Sequence, residues 1–217
     1  MGMKPRRIRR DRVTLALSKG RILKPTVELF RRAGVDVGEV LEPSRKLIFH
    51  CDSGIDVMVV RGGDVPTYVA NGAADLGVCG RDVVEESGLD LYTPVDLGIG
   101  PCRLVVAGPA AAAQKPAPEH LRIATKYPRL ARRYVQDRGL PAHVLKLSGA
   151  IELAPLVGLS DRIVDLVETG STLKQNGLVE LETIMHITSL LVASPAGLKL
   201  LGQPVRDIID RLAEIAR

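Results

Sequence analysis

The chain has 217 residues, of which 46% are apolar and 25% charged, so it can form one large or two small globular domains. Aromatic residues make up only 3% and tryptophan is absent, which argues against base stacking of the kind many single-strand binders use. Much of the net charge of +5 lies in residues 4–10, which we interpret as a solvated tail; binding of nucleic acid through this run is the alternative.

The cysteines indicate the cellular compartment. Cys51, Cys79 and Cys102 are odd in number, widely spaced and without a metal-ligand pattern, so we expect reduced thiols. No apolar run reaches membrane-spanning length, and the run at 13–17 is too short for the core of a signal peptide. These features predict a cytoplasmic protein that has neither a membrane nor a nucleic acid as its partner.

Strands and helices alternate along the first hundred residues. Apolar runs predict strands at 13–17, 47–50, 56–60 and 74–80, and helices follow at about 22–33, 65–71 and after Arg81. The first strand runs into Ser-Lys-Gly-Arg at 18–21, at the carboxyl end of a strand, where ligands of α/β sheets bind. Lys19 and Arg21 in this turn favour an anionic ligand; exposed basic side chains at a helix start are the alternative.

Glycine and proline at 98–101 interrupt this alternation, and a second series begins there. We predict strands at 104–107, 121–125, 144–147 and 163–167 and a last strand at 192–193, with helices at 127–138, 150–157 and 205–216. The sequence therefore predicts an α/β fold of two lobes with mainly parallel sheets and a central cleft. Residues 1–99 and 186–217 would form the first lobe, and residues 100–185 the second.

The strand at 163–167 continues into Glu-Thr-Gly-Ser-Thr at 168–172. A strand followed by a turn of small residues and a helix start directs several N–H groups to one point, and such a nest attracts phosphate. The acids at Asp165 and Glu168 could reach the hydroxyls of a sugar. The pattern thus favours a sugar that carries a 5′-phosphate, although a tight turn with solvated acids fits the same residues.

Several ordered motifs over about residues 12–200 resemble those of the ATP phosphoribosyltransferase family. They are Ser-Lys-Gly-Arg at 18–21, Ser-Arg-Lys-Leu-Ile at 44–48, Val-Pro-Thr-Tyr-Val at 65–69, Asp-Leu-Gly-Val-Cys-Gly-Arg-Asp at 75–82, Asp-Leu-Gly-Ile-Gly-Pro-Cys-Arg at 96–103, Arg-Ile-Ala-Thr-Lys-Tyr-Pro at 122–128, Glu-Leu-Ala-Pro at 152–155 and Asp-Leu-Val-Glu-Thr-Gly-Ser-Thr-Leu at 165–173. The resemblance implies a bilobal fold similar to type II periplasmic binding proteins. It also implies transfer of the phosphoribosyl group of phosphoribosyl pyrophosphate (PRPP) to N1 of ATP with Mg²⁺, the first step of histidine biosynthesis.

The resemblance also assigns roles to residues. It implies that Asp165, Glu168, Thr169, Gly170, Ser171 and Thr172 bind PRPP, that Lys19, Gly20, Arg21 and Cys102 bind ATP, and that Arg21 and Arg45 are catalytic. The chain resembles the short form of the family, which works with a regulatory subunit related to histidyl-tRNA synthetases, and a homodimer of catalytic chains is expected. We expect the metal to bind mainly through the substrate, with no firm ligand from the protein.

Three other functions fit parts of the pattern. A solute receptor without chemistry would share the two lobes, a nucleic-acid-associated protein would use the basic run, and another phosphoribosyltransferase would act on a free base. The turn at 18–21 favours a phosphorylated acceptor over a free base. Since N1 of adenine has a free lone pair at neutral pH, the reaction requires no general base, and we predict none.

Overall fold

The computed structural model describes residues 12–114, 118–200 and 202–216. The basic run at 4–10 and residues 115–117 of the Ala/Pro-rich segment lie outside these ranges. The chain divides into two compact units, one formed by residues up to Gly100 and from Thr188 onward, the other by residues from Pro101 to Ile187.

The first unit begins with five strands and three helices. They are β1 (Val13–Ser18), α1 (Leu23–Arg32), β2 (Ile48–His50), β3 (Ile55–Val60), α2 (Val65–Ala70), β4 (Leu76–Gly80), α3 (Arg81–Ser87) and β5 (Tyr92–Asp96). Every residue of β1 is buried, which explains its mostly apolar sequence: a strand covered on both faces favours apolar side chains on both sides, and only Thr14 and Ser18 are polar.

The second unit contains five strands and three helices in the described residues. They are β6 (Cys102–Pro109), β7 (Leu121–Thr125), α4 (Pro128–Asp137), β8 (Ala142–Lys146), α5 (Leu153–Leu156), β9 (Arg162–Val167), α6 (Ser171–Gln175) and β10 (Leu178–Ile187). The chain then returns to the first unit through β11 (Ser189–Ala193), α7 (Pro195–Leu200) and α8 (Gln203–Ile215).

Each unit is built on one mixed sheet. The strand order is β2-β3-β1-β4-β11-β5 in the first and β10-β6-β9-β7-β8 in the second. In the first sheet β1 pairs in parallel with β3 and β4, while β2 and β11 run in the opposite direction. In the second, β7 pairs in parallel with β8 and β9, and β6 alone among the described strands runs the other way. The predicted α/β class with mainly parallel strands is confirmed.

Helices cover both faces of each sheet. In the first unit Leu15 and Leu17 pack against Phe30 of α1 and Leu212 of α8, whereas Ala16 between them packs against α2. In the second unit α4 covers one face of the sheet, and α5 and α6 cover the other. This double cover leaves the carboxyl ends of the parallel strands and the loops after them as the places where polar side chains can meet a ligand.

Three elements were not predicted: β5, β10 and α7. The predicted helix at 150–157 is also shorter than expected, because Ala150 has a left-handed backbone (φ 49°) and α5 begins only at Leu153. Within the described part of the chain, none of the helices has both the length and the apolar character needed to cross a bilayer.

Candidate active site

The turn after β9 has the backbone conformation of an anion nest. Gly170 has φ +79°, a left-handed value that glycine adopts without steric cost, and α6 begins at the next residue. The hydroxyl of Thr169 donates to Oγ of Ser171 at 3.1 Å, and the amide of Lys174 donates to the carbonyl of Gly170 at 3.1 Å. These bonds fix the turn without using the amides at its centre.

The central amides are available to a ligand. Among the described residues, the N–H groups of Gly170, Thr172 and Leu173 have no hydrogen-bond acceptor, and that of Ser171 has only the hydroxyl of Thr169 at 3.4 Å. The first amides of a helix lack partners within the helix, so they need a solvent molecule, a side chain or an anion. A phosphate group satisfies several of them at once.

These residues line a pocket of about 250 Å³. Its walls contain all six residues that the resemblance assigned to PRPP and four that it did not assign. The six are Asp165, Glu168, Thr169, Gly170, Ser171 and Thr172, and the four are Leu166, Val167, Leu173 and Glu152. Glu152 immediately precedes α5. It belongs to the Glu-Leu-Ala-Pro motif at 152–155, but its place beside Asp165 was not predicted.

Asp165 is the most perturbed group of this pocket. Burial raises the pKa of its carboxyl group above the ordinary value, and the charge of Glu152 raises the pKa further. The amide of Leu166, which donates to Oδ1 at 2.8 Å, acts in the opposite direction, as does the charge of Lys126. The two carboxylates therefore lie close enough to repel each other, as expected for groups that share a hydroxyl or metal ligand.

In the first unit, the turn after β1 carries Lys19, Gly20 and Arg21 in sequence. Gly20 has φ +113°, and both basic side chains are exposed. A guanidinium N–H of Arg21 donates to the carbonyl of Gly100 at 3.3 Å. The chain thus presents two cations at the carboxyl end of a central strand, as the sequence indicated.

Lys19 also lines a cavity of about 760 Å³ in this unit. The other walls are mostly apolar: Leu47, Ile48, Met58, Val59, Val60, Arg61, Gly62, Asp64 and Tyr68. Leu47, Ile48 and Tyr68 are exposed large apolar side chains, 62%, 47% and 36% exposed respectively, so the cavity offers a surface on which a planar ring can lie. The sequence did not indicate this apolar wall.

The remaining predicted residues lie elsewhere. Arg45 is exposed in the loop before β2 and does not line the cavity. Cys102 is buried at the start of β6 and belongs to the second unit, whereas Lys19, Gly20 and Arg21 belong to the first. No disulfide joins the three cysteines, all of which are buried, and burial raises the pKa of Cys51 and of Cys79 to about 12.

Comparison with known proteins connects these features to a family. The family model described as ATP phosphoribosyltransferase matches residues 61–214. An ATP phosphoribosyltransferase of Acidithiobacillus ferrooxidans is 53% identical over 92% of this chain and 95% of its own length. The ATP phosphoribosyltransferase of Halorhodospira halophila is 52% identical over 94% of this chain and 96% of its own length.

Two solved structures are similar to this fold. A chain of the ATP phosphoribosyl transferase (HisG:HisZ) complex of Thermotoga maritima superposes with a TM-score of 0.80 at 35% identity, covering 94% of this chain and 98% of that one. The alkanesulfonate-binding protein SsuA of Xanthomonas axonopodis pv. citri superposes with a TM-score of 0.54 at 16% identity, over 94% of this chain and 73% of that one, which shows a shared fold alone.

The predicted likeness to periplasmic binding proteins is therefore confirmed at the level of the fold. The family model and the relatives above 50% identity establish the family to which the chain belongs. The chain belongs to the ATP phosphoribosyltransferase family, pentosyltransferases that transfer the phosphoribosyl group of PRPP to N1 of ATP in the first step of histidine biosynthesis.

Proposed function

We propose that the turn at 169–172 binds the 5′-phosphate of PRPP in this reaction. The observation that supports this most is the set of amides without protein acceptors, at Gly170, Thr172 and Leu173, inside the pocket that Asp165 and Glu168 also line. A phosphate monoester is small enough for a pocket of this size and accepts several hydrogen bonds at once.

Asp165 and Glu168 would face the ribose of PRPP. A ribose hydroxyl can donate to a carboxylate, and a carboxylate beside the ring also favours the positive charge that develops on the sugar as pyrophosphate leaves. The repulsion between Asp165 and Glu152 in the free protein fits this role, because donors or cations of the ligand would relieve it.

The reaction's metal fits the same carboxylates. Mg²⁺ is usually held by one or two carboxylates together with substrate phosphates, and the described residues contain no group of three or more acidic, histidine or cysteine side chains arranged for a metal. Glu152 and Asp165 are the residues that would hold it, while most of its ligands come from PRPP. When bound, Mg²⁺ supplies positive charge that stabilises the departing pyrophosphate.

ATP would bind in the first unit. Lys19 belongs both to the turn at 18–21 and to the wall of the cavity with apolar side chains. The phosphates of ATP could therefore lie at Lys19, Gly20 and Arg21, and its adenine could lie against Ile48 or Tyr68. Cys102 stays a proposed contact of the acceptor. Arg21 and Arg45 would stabilise the leaving pyrophosphate, because a planar guanidinium donates two parallel hydrogen bonds to phosphate oxygens.

The partners belong to this proposal as well. Because the related chain of Thermotoga maritima was solved in a HisG:HisZ complex, we propose that this chain acts as a short-form catalytic subunit with a regulatory subunit of that kind. A homodimer of catalytic chains would be the unit that this subunit controls. Since the reaction consumes ATP, we place it in the cytoplasm.

A titration followed by NMR tests the phosphate assignment. Ribose 5-phosphate should shift the backbone ¹⁵N–¹H signals of Gly170, Ser171, Thr172 and Leu173 more than those of the turn at 18–21. Glucose, which has no phosphate, serves as the control ligand and should shift none of them. Large shifts at 18–21 with an unchanged turn at 169–172 would contradict the assignment.

A further inference from the structure

The pocket proposed for PRPP has no positively charged side chain among the residues that line it. Three carboxylates line it, from Glu152, Asp165 and Glu168. PRPP carries a phosphate on C5 of its ribose and a pyrophosphate on C1, so it is anionic at both ends. The amides of the turn at 169–172 serve one end only. Arg21 and Arg45, proposed above for the pyrophosphate end, belong to the first unit, so within the second unit that end still needs a positively charged partner in addition to Mg²⁺.

Lys126 lies where such a partner is needed. In the parallel pairing of β7 with β9, Thr125 is opposite Val164, which places the next residues, Lys126 and Asp165, side by side at the edge of the pocket. Lys126 is exposed, and among the described residues it makes no hydrogen bond or salt bridge.

The position along the strand separates the two ends of the ligand. Asp165 precedes Thr169 by four residues and β9 ends at Val167, so Lys126, beside Asp165, lies on the strand side of the proposed 5′-phosphate site. The ribose lies between C5 and C1 substituents of PRPP, and the proposed ribose ligand Asp165 lies between Lys126 and the turn. Going from Lys126 after β7 across to Asp165 on β9 and then along the chain to the turn, the groups follow the order of pyrophosphate, ribose and 5′-phosphate in PRPP.

We propose that Lys126 binds the pyrophosphate of PRPP from the second unit. This inference rests on the proposed function, in which the turn at 169–172 holds the 5′-phosphate. The ammonium group of Lys126 would contact the pyrophosphate oxygens at the side of Asp165, so that both ends of the substrate are held before transfer begins. Its role is to bind substrate, with no proton transferred.

Calorimetry with the full-length chain in the presence of Mg²⁺ tests this proposal. Lys126→Ala should weaken PRPP binding about 10- to 100-fold, the usual value of a hydrogen bond to a charged group, and leave the affinity for ribose 5-phosphate unchanged. Lys126→Arg should restore most of the PRPP affinity. The control is Lys146→Ala: Lys146 is an exposed lysine that ends β8, which β7 separates from β9 in the sheet, so PRPP should bind this variant as it binds the wild type.

Two results would overturn the inference. Normal PRPP affinity of Lys126→Ala would show that the lysine does not contact the substrate, and equal loss of PRPP and ribose 5-phosphate would show that it does not act at the pyrophosphate. Failure of the proposed function gives a different result, because ribose 5-phosphate would then fail to bind even the wild-type chain. Circular dichroism and thermal unfolding of each variant confirm that the fold is retained.

Discussion

Replacing Gly170 with alanine adds one methyl group to the proposed phosphate nest and so tests its role. In Gly170→Ala the new Cβ would have one neighbour within 4 Å, Cγ1 of Val167 at 3.8 Å, which is an ordinary contact. The cost therefore comes from the backbone alone: φ +79° is left-handed, and an L-residue there loses about 1–2 kcal/mol. The melting temperature should fall by about 2–4 °C for each kcal/mol lost.

Binding should be affected more than stability. If the backbone keeps its conformation, the methyl group occupies space beside the amides; if it relaxes, the amides turn away from their common point. In either case at least one charged hydrogen bond to the 5′-phosphate is lost, so the dissociation constant for PRPP should rise roughly 10- to 100-fold. Calorimetry with PRPP and Mg²⁺ measures this change.

Gly177→Ala is the matched control. Gly177 follows the C-cap of the same helix, α6, and has φ +68°, so alanine there should cause a similar backbone strain. No atom would lie within 4 Å of the new Cβ, and Gly177 is at the opposite end of the helix from the nest. Both variants should unfold at a similarly lowered temperature, and only Gly170→Ala should lose PRPP affinity. Equal PRPP affinity in the two variants would refute the assignment of the nest, and an unchanged melting temperature would refute the strain argument.

Three further predictions concern charge and burial. The raised pKa of Asp165 means that the folded chain binds its proton more tightly than the unfolded chain does, so the free energy of unfolding falls as pH rises and Asp165 ionises. Asp165→Asn should therefore raise the melting temperature at neutral pH and raise it less in acid. The same variant should abolish activity. Arg45→Ala should lower the turnover number about 100- to 1,000-fold with little change in ATP binding, whereas Lys46→Ala should not. Ser160→Ala should raise the free energy of unfolding by roughly 1 kcal/mol, because the buried hydroxyl of Ser160 has no partner among the described residues.

Each of these has a result that contradicts it. Thermal unfolding of Asp165→Asn between acid and neutral pH would contradict the linkage argument if the variant were less stable than wild type at neutral pH. A steady-state assay with unchanged turnover would remove Arg45 from catalysis. Denaturant unfolding that showed Ser160→Ala to be less stable would mean that the hydroxyl is satisfied by a buried water molecule.

The elements that the sequence predicted are those with local signals. Strand β1 is buried at every position and mostly apolar, and Gly34 (φ +73°) follows the end of α1 as a left-handed glycine should. The turn at 169–172 could also be recognised locally, since its conformation depends on Gly170 and its immediate neighbours. For the same reason all six residues assigned to PRPP lie in one pocket.

The missed strands lack such signals for physical reasons. Two register shifts in β10, between Glu180 and Glu182 and between Thr183 and Met185, break the alternation of buried and exposed side chains that identifies a strand. In β5 the central residue is Pro94, which sheets tolerate on edge strands such as this one.

The missed site residues depend on tertiary pairing. Glu152 reaches the pocket because Ala150 bends the chain after β8, and Lys126 reaches Asp165 because β7 pairs with β9, a strand 39 residues further along. Neither the bend nor the register can be read from residue types. Charge and spacing alone therefore predicted the amide nest but not the groups that surround it.

A crystal structure of the full-length chain with PRPP and Mg²⁺ tests the central claim most directly. Our account predicts the 5′-phosphate at the turn, with its oxygens about 2.7–3.2 Å from the amide nitrogens of Gly170, Thr172 and Leu173. A 5′-phosphate bound elsewhere, with this turn empty or with its carbonyls directed at the ligand, would contradict it.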